Sequence, residues 1–109
     1  MMPITPNELE TPAARRTLKP DDCALVVIDI QEKLLPPIFN RDQLVRNSQL
    51  LVRLAGILGL PVFATTQYAK GLGNTVPEIL SLLTNVTIHD KLEFSCFGCG
   101  AFTEDVKSL

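Results

Sequence analysis

Three side chains able to do chemistry fall at the ends of apolar runs in this sequence. Asp29 closes Ala24-Leu25-Val26-Val27-Ile28, Gln67 follows Val62 to Thr66 (VFATT), and Lys91 follows Val86 to Asp90. A carboxylate at the end of an apolar run costs free energy unless it is paired or solvated. A lysine converging on the same crevice answers that need, and the two charges can tune each other and a third group. Taken singly, Asp29 also reads as a cap for the following turn and Lys91 as a solvated loop lysine. Their common edge is what favours chemistry.

Other patterns are less promising. Cys96-Phe97-Gly98-Cys99 is a C-x-x-C before a helix, the arrangement in which a helix N-terminus lowers a thiol pKa in thioredoxin-like redox sites. The residues after Cys99 are too few for the remaining strands of such a fold. A zinc site would need Cys23 and His89 to join the two cysteines. Cys23 precedes the first strand and so belongs at the opposite sheet edge, roughly 20 Å away at about 3.3 Å per residue. Zinc–sulfur bonds of about 2.3 Å do not span that distance. His89 reads as a satisfied core or face residue. Gly71-x-Gly73 lacks the further glycine and the lysine of a phosphate loop and reads as a turn near the crevice.

The elements that must position these groups follow from the periodicity. Ala24 to Ile28 is continuous, apolar and rich in β-branched residues, as a strand buried on both faces of a parallel sheet should be. Pro36-Pro37 then forbids regular structure. From Arg41 to Leu58 the period becomes 3.6, with Leu44, Leu51, Ala55 and Leu58 on one stripe. Asn40 is the expected N-cap, with Gln43 three residues on, and Gly59 and Pro61 supply the stop. Val62 to Thr66 is a second strand, and Gln67 to Asn74 a loop. Thr75 is placed to cap a helix with Pro77 in its first turn, running to about Leu83. Val86 to Asp90 alternates as a third strand, and Ala101 to Leu109 begins another helix. The order β-α-β-α-β-α implies right-handed crossovers and a three-layer, Rossmann-like α/β architecture with a parallel sheet of about three strands. In such sheets ligands bind beyond the carboxyl ends of the strands, where Asp29, Gln67 and Lys91 arrive together.

Composition narrows the function classes. The chain has 109 residues, 46% hydrophobic and 20% charged, which is an ordinary globular mixture of single-domain size. Ten Lys and Arg against twelve Asp and Glu give a net charge of −2. With a pI near 5.3, there is no basic stripe for a phosphate backbone, so no nucleic-acid partner is expected. The longest uncharged stretch, Leu54 to Ala69, is broken by Gly56, Gly59 and Pro61 and does not read as a membrane span. The N-terminus carries acidic residues and no apolar h-region, unlike a secretory signal. Three cysteines, an odd number, point to a reducing compartment, the cytoplasm by default. Pro3, Pro6, Pro12 and Pro20 make residues 1–20 an extended N-terminal arm, with the domain proper from Asp21.

Three collinear segments carry a family resemblance. Ala24 to Leu35 (ALVVIDIQEKLL), Ala64 to Leu80 (ATTQYAKGLGNTVPEIL) and Lys91 to Phe97 (KLEFSCF) together resemble the isochorismatase-like cysteine hydrolases, in particular the isochorismatase domain-containing branch. The resemblance implies a six-stranded parallel sheet, of which residues 21–109 would be the N-terminal half. It implies hydrolysis of a small amide or related molecule by an Asp-Lys-Cys triad, with Asp29 and Lys91 in the catalytic positions. It places Gln67 and Tyr68 in the loop lining the substrate pocket. In this mechanism the lysine stabilises a thiolate and the aspartate moves the proton; attack on a carbonyl then gives a thioester.

The sequence departs from the family pattern in two ways. The family's nucleophile follows a fourth strand, which these residues do not contain, and Cys96 and Cys99 stand at the wrong place in the motif order to replace it. The nicotinamidase branch binds a metal through Asp-x-His after strand two, where this chain reads Thr65-Thr66-Gln67-Tyr68. No metal and no cofactor are therefore expected; the expected partner is a small-molecule substrate. The alternative reading is a catalytically inactive fragment or interaction remnant that keeps Asp29 and Lys91 as an ion pair. Either way the first strand, apolar and uncovered on one side, presents a sticky edge. That edge makes the sequence look truncated and leaves room for a homo-oligomer.

Overall fold

A computed structural model describes residues 17–109, so the arm expected over 1–20 lies for the most part outside the described residues. The apolar run that opens the domain forms β1 (Leu25–Ile28), preceded by a 3₁₀ turn at Pro20–Asp22. The 3.6-period stretch forms α1 (Arg41–Leu58), with the bounds its pattern implies. Gly59 ends α1 in the left-handed region at φ 71°, and its amide donates back to Ala55 and Gly56 carbonyls. A glycine is what that conformation favours. β2 (Val62–Gln67), α2 (Ala69–Leu72), α3 (Pro77–Leu80), β3 (Ile88–Lys91) and α4 (Gly100–Lys107) follow, with a 3₁₀ turn at Cys96–Gly98 before α4.

The sheet is parallel and ordered β1-β2-β3. Side-by-side partners in a parallel pair share a face. Leu25 and Val27, Val62 and Ala64, and Ile88 therefore point one way. Under them Val52 of α1 and Ile79 of α3 join Val27, Ala64, Val76 and Leu83 in the main core. The opposite face carries Phe63, Thr65 and Gln67 from β2, with His89 and Lys91 from β3. There α4 lays Phe102, 2% exposed, edge-on to Phe63 and His89, with ring centroids 6.3 and 6.1 Å away. The result is the three-layer Rossmann-like α/β arrangement.

Several local expectations are corrected. β1 is not buried on both faces: α4 packs on Phe63 of β2 and His89 of β3, while Val26 and Ile28 stand 37% and 53% exposed at the sheet edge. Asn40 does occupy the N-cap position of α1, but at φ 56° and with no side-chain capping bond. The chain's entry is held by Arg41, whose guanidinium donates to the Pro36 carbonyl. Thr75 does not cap α3; it pairs with Gln31 in an isolated antiparallel bridge, and Val76 takes the cap position. The loop after β2 contains the short helix α2, and α3 is one turn long because it stops at Leu80. Lys91 ends β3 instead of following it. Among the described residues no helix is long and apolar enough to cross a membrane.

Candidate active site

All three strands deliver a functional group at their carboxyl ends. β1 runs straight into Asp29, which leaves the strand at φ 56° while its amide still donates to the Thr65 carbonyl, 3.1 Å away. The left-handed region is uncommon for residues other than glycine but is best tolerated by Asn and Asp. This turn swings the carboxylate off the edge of β1 and over β2. Lys91, at the end of β3, reaches the same point from the other side.

The two charges meet above β2. Lys91 Nζ donates to Asp29 Oδ2 at 2.7 Å and to Gln67 Oε1 at 2.9 Å. The Lys91 side chain is completely buried, whereas Asp29 keeps 22% of its side-chain surface open. β1 and β3 are not neighbours, so a pair joining them must cross the central strand. A lysine's four-carbon stem makes that span at two strand spacings of about 4.8 Å each. A desolvated ammonium needs such partners, because its water shell is gone.

Neighbouring polar groups hold the pair in place. Thr65, 1% exposed, donates its hydroxyl to Asp29 Oδ1 at 2.9 Å. The Gln67 amide nitrogen donates to the Leu92 carbonyl at 2.8 Å, so both ends of that side chain are engaged. Gln31, fully buried, donates to the Gln67 and Gly73 carbonyls at 2.9 and 2.8 Å and accepts from the Gln67 backbone amide at 2.6 Å. It thereby ties the exit of β1 to the exit of β2 and to the glycine-bearing loop. Tyr68 follows at φ 42°, half exposed, with its ring lying over Gly71. A Cβ at Gly71 would collide with the tyrosine ring. On the other face Thr66 and the Ala69 amide both donate to Asp90, which starts α2.

The structure thus brings Asp29, Lys91 and Gln67 into direct contact and sets Tyr68 beside them on the adjoining loop. Sequence reading missed Thr65 and Gln31. For Thr65 the usable signal was its two-residue spacing from Gln67, which puts both on one face. Gln31 had no such signal, since its partners are backbone groups in distant loops. Cys96, read as a bland residue outside the site, places its Sγ 3.9 Å from the Thr65 hydroxyl. His89 bonds Asp105 of α4 at 2.9 Å, as a satisfied face residue should. A separate open cleft of about 380 Å³ between Glu32, α1 and Glu78 includes neither Asp29 nor Lys91.

Comparisons with known proteins agree on one relationship. The family described as the isochorismatase domain matches residues 23–108. The chain is 39% identical over 84 residues to isochorismatase domain-containing protein 2 of Danio rerio, covering 77% of this chain and 39% of that protein. Among solved structures it is similar to the MAR1 ribonuclease of Caenorhabditis elegans, with TM-score 0.71, 37% identity, and coverage of 79% of this chain and 45% of that one. It is also similar to the Escherichia coli YcaC gene product, described as an octameric hydrolase of unknown specificity. That match has TM-score 0.76, 25% identity, and coverage of 86% and 48%. The chain therefore spans about two-fifths of the length of the curated relative and under half of each solved chain.

Proposed function

The chain belongs to the isochorismatase family, and from that premise we propose that it supplies the aspartate and lysine of a cysteine hydrolase acting on a small amide or a related molecule. The observation that carries this reading is the 2.7 Å contact between Asp29 and a Lys91 side chain with no solvent exposure, at the carboxyl edge of a parallel sheet. Asp29 takes the proton of an incoming thiol, and the Lys91 ammonium stabilises the thiolate left behind. The sulfur adds to the substrate carbonyl, backbone amides hold the oxyanion, and Asp29 passes the proton to the leaving nitrogen, so that expulsion of the amine leaves a thioester. Water then adds to the thioester, releasing the acid and returning the thiol. Gln67 and Tyr68 form part of the substrate-pocket wall, with Tyr68 as the exposed member. In the pattern the family resemblance implies, the nucleophilic cysteine follows a fourth strand, a place that neither Cys96 nor Cys99 holds. Three free cysteines suit a reducing, cytoplasmic setting.

A second reading, an inactive remnant in which the pair is structural, draws support from the intramolecular bonds made at both ends of the Gln67 side chain. The discriminating experiment fuses this chain to the complementary C-terminal portion of the Danio rerio relative. The fusion is assayed on a panel of small amides, with the full-length relative assayed alongside it. Turnover abolished by Asp29→Asn and by Lys91→Met supports the hydrolase reading; a folded but inert fusion supports the remnant. The 109-residue polypeptide alone is expected to hydrolyse no amide above background. Turnover by it that is lost in Asp29→Ala but retained in Cys96→Ser and Cys99→Ser would demand another nucleophile.

A further inference from the structure

We propose that Thr65 is a positioning residue for Asp29, aiming the carboxylate's unused lone pairs into the crevice at the end of the sheet. This rests on the hydrolase reading for its purpose but not for its geometry. Thr65 holds Asp29 at two points. Its carbonyl accepts from the Asp29 amide at 3.1 Å, and its hydroxyl donates to Oδ1 at 2.9 Å. A carboxylate offers about four acceptor positions. Thr65 fills one on Oδ1 and Lys91 fills one on Oδ2, which fixes the plane of the group. Acceptor positions remain on both oxygens, and 22% of the side chain is open to solvent, from which a proton can arrive.

The polarity of this network follows from proton counting. An ionised carboxylate only accepts, so the single hydroxyl proton of Thr65 points at Asp29. Toward Cys96 Sγ, 3.9 Å away, the hydroxyl oxygen can then only accept, and the thiol is the donor. The order of donation is Cys96 S–H to Thr65 O–H to Asp29. Threonine suits the position beyond its hydroxyl. Its β-branch restricts χ1 and belongs in a central strand, so a 1% exposed Thr65 cannot swing away without displacing its neighbours.

The test uses the intact chain and two NMR readouts that do not require catalysis. In wild type, the Asp29 carboxyl carbon should show an isotope shift in mixed H2O and D2O, part of it transmitted from the Thr65 hydroxyl and the rest from the Lys91 ammonium and the Asp29 amide. Thr65→Val should move that carboxyl resonance and speed solvent exchange of the Lys91 ammonium protons roughly fivefold, as expected for losing about one hydrogen bond's worth of restraint. Thr65→Ser should restore both toward wild type. In the active fusion, Thr65→Val should lower kcat and leave KM nearly unchanged. A folded Thr65→Val chain with an unmoved Asp29 resonance and unchanged Lys91 exchange would overturn the proposal. If the valine variant does not fold, a wild-type Thr65 hydroxyl proton that exchanges with solvent as fast as a free hydroxyl would overturn it equally. An inert fusion with both NMR signatures intact would instead sink the hydrolase reading and leave the positioning role standing.

Discussion

At the scale of residues, the unequal burial of the two charges sets what their loss costs. Asp29→Asn leaves a fully buried ammonium with an amide for a partner, and breaking a buried pair in this way costs about 3–5 kcal/mol. Asparagine tolerates the φ of 56° at this position, so the loss reports the charge and not the backbone. Lys91→Met should cost less, because Asp29 can turn to the water it already meets. The double variant Asp29→Asn/Lys91→Met should recover part of the single-variant loss, and urea unfolding of all four proteins checks the cycle. The pair itself was legible in the sequence because a charged residue closing an apolar run must find a partner or water, and both runs end at one sheet edge. Thr65 was marked by its spacing from Gln67 alone, since a threonine inside a strand is what strand propensity supplies anyway. The proximity of Cys96 was not legible, because it depends on how the 3₁₀ turn at Cys96–Gly98 folds back over β2.

At the scale of elements, the bounds of α1 were readable from its period and its glycine stop, whereas short elements were not. The stretch around Thr75 has the composition of a helix start. A tertiary bridge to Gln31 claims that residue, and α3 begins later and closes after one turn. Likewise the loop holding Tyr68 coils into α2 because Asp90 anchors the Ala69 amide from another strand. Gly71→Ala should displace the Tyr68 ring without unfolding the protein, because the obstructed atoms belong to a half-exposed side chain. With one tyrosine and no tryptophan in the chain, intrinsic fluorescence reports that ring alone. A change in its intensity or anisotropy with little shift in melting temperature is the expected result. For α4 the anchor is Phe102, which meets Phe63, His89 and Phe97 edge-on. Phe102→Ala should cost about 3–5 kcal/mol. Hydrogen exchange should show protection lost first across Gly100–Lys107.

At the scale of the whole molecule, the parallel three-layer plan was legible from alternation of apolar runs and helical periods, while the exposure of β1 depended on how far α4 extends across the sheet. The amides of Leu25 and Asp29 face β2, so alternation turns those of Val26 and Ile28 toward the open edge. Ile57 on α1 is 82% exposed as well. An apolar edge of this kind associates. Sedimentation should show a weight-average mass rising with concentration, and Ile28→Lys should suppress that rise. A concentration-independent monomer would contradict it. One consequence concerns the order of events during folding. Asp29 and Lys91 lie 62 positions apart, on strands that never touch each other. Their contact exists only after both crossovers have closed and β2 has taken its place between them. The ion pair is thus a late signature of assembly, absent from any intermediate that has docked only one flank of the sheet. Its appearance in a refolding trace would time the moment the last strand arrives.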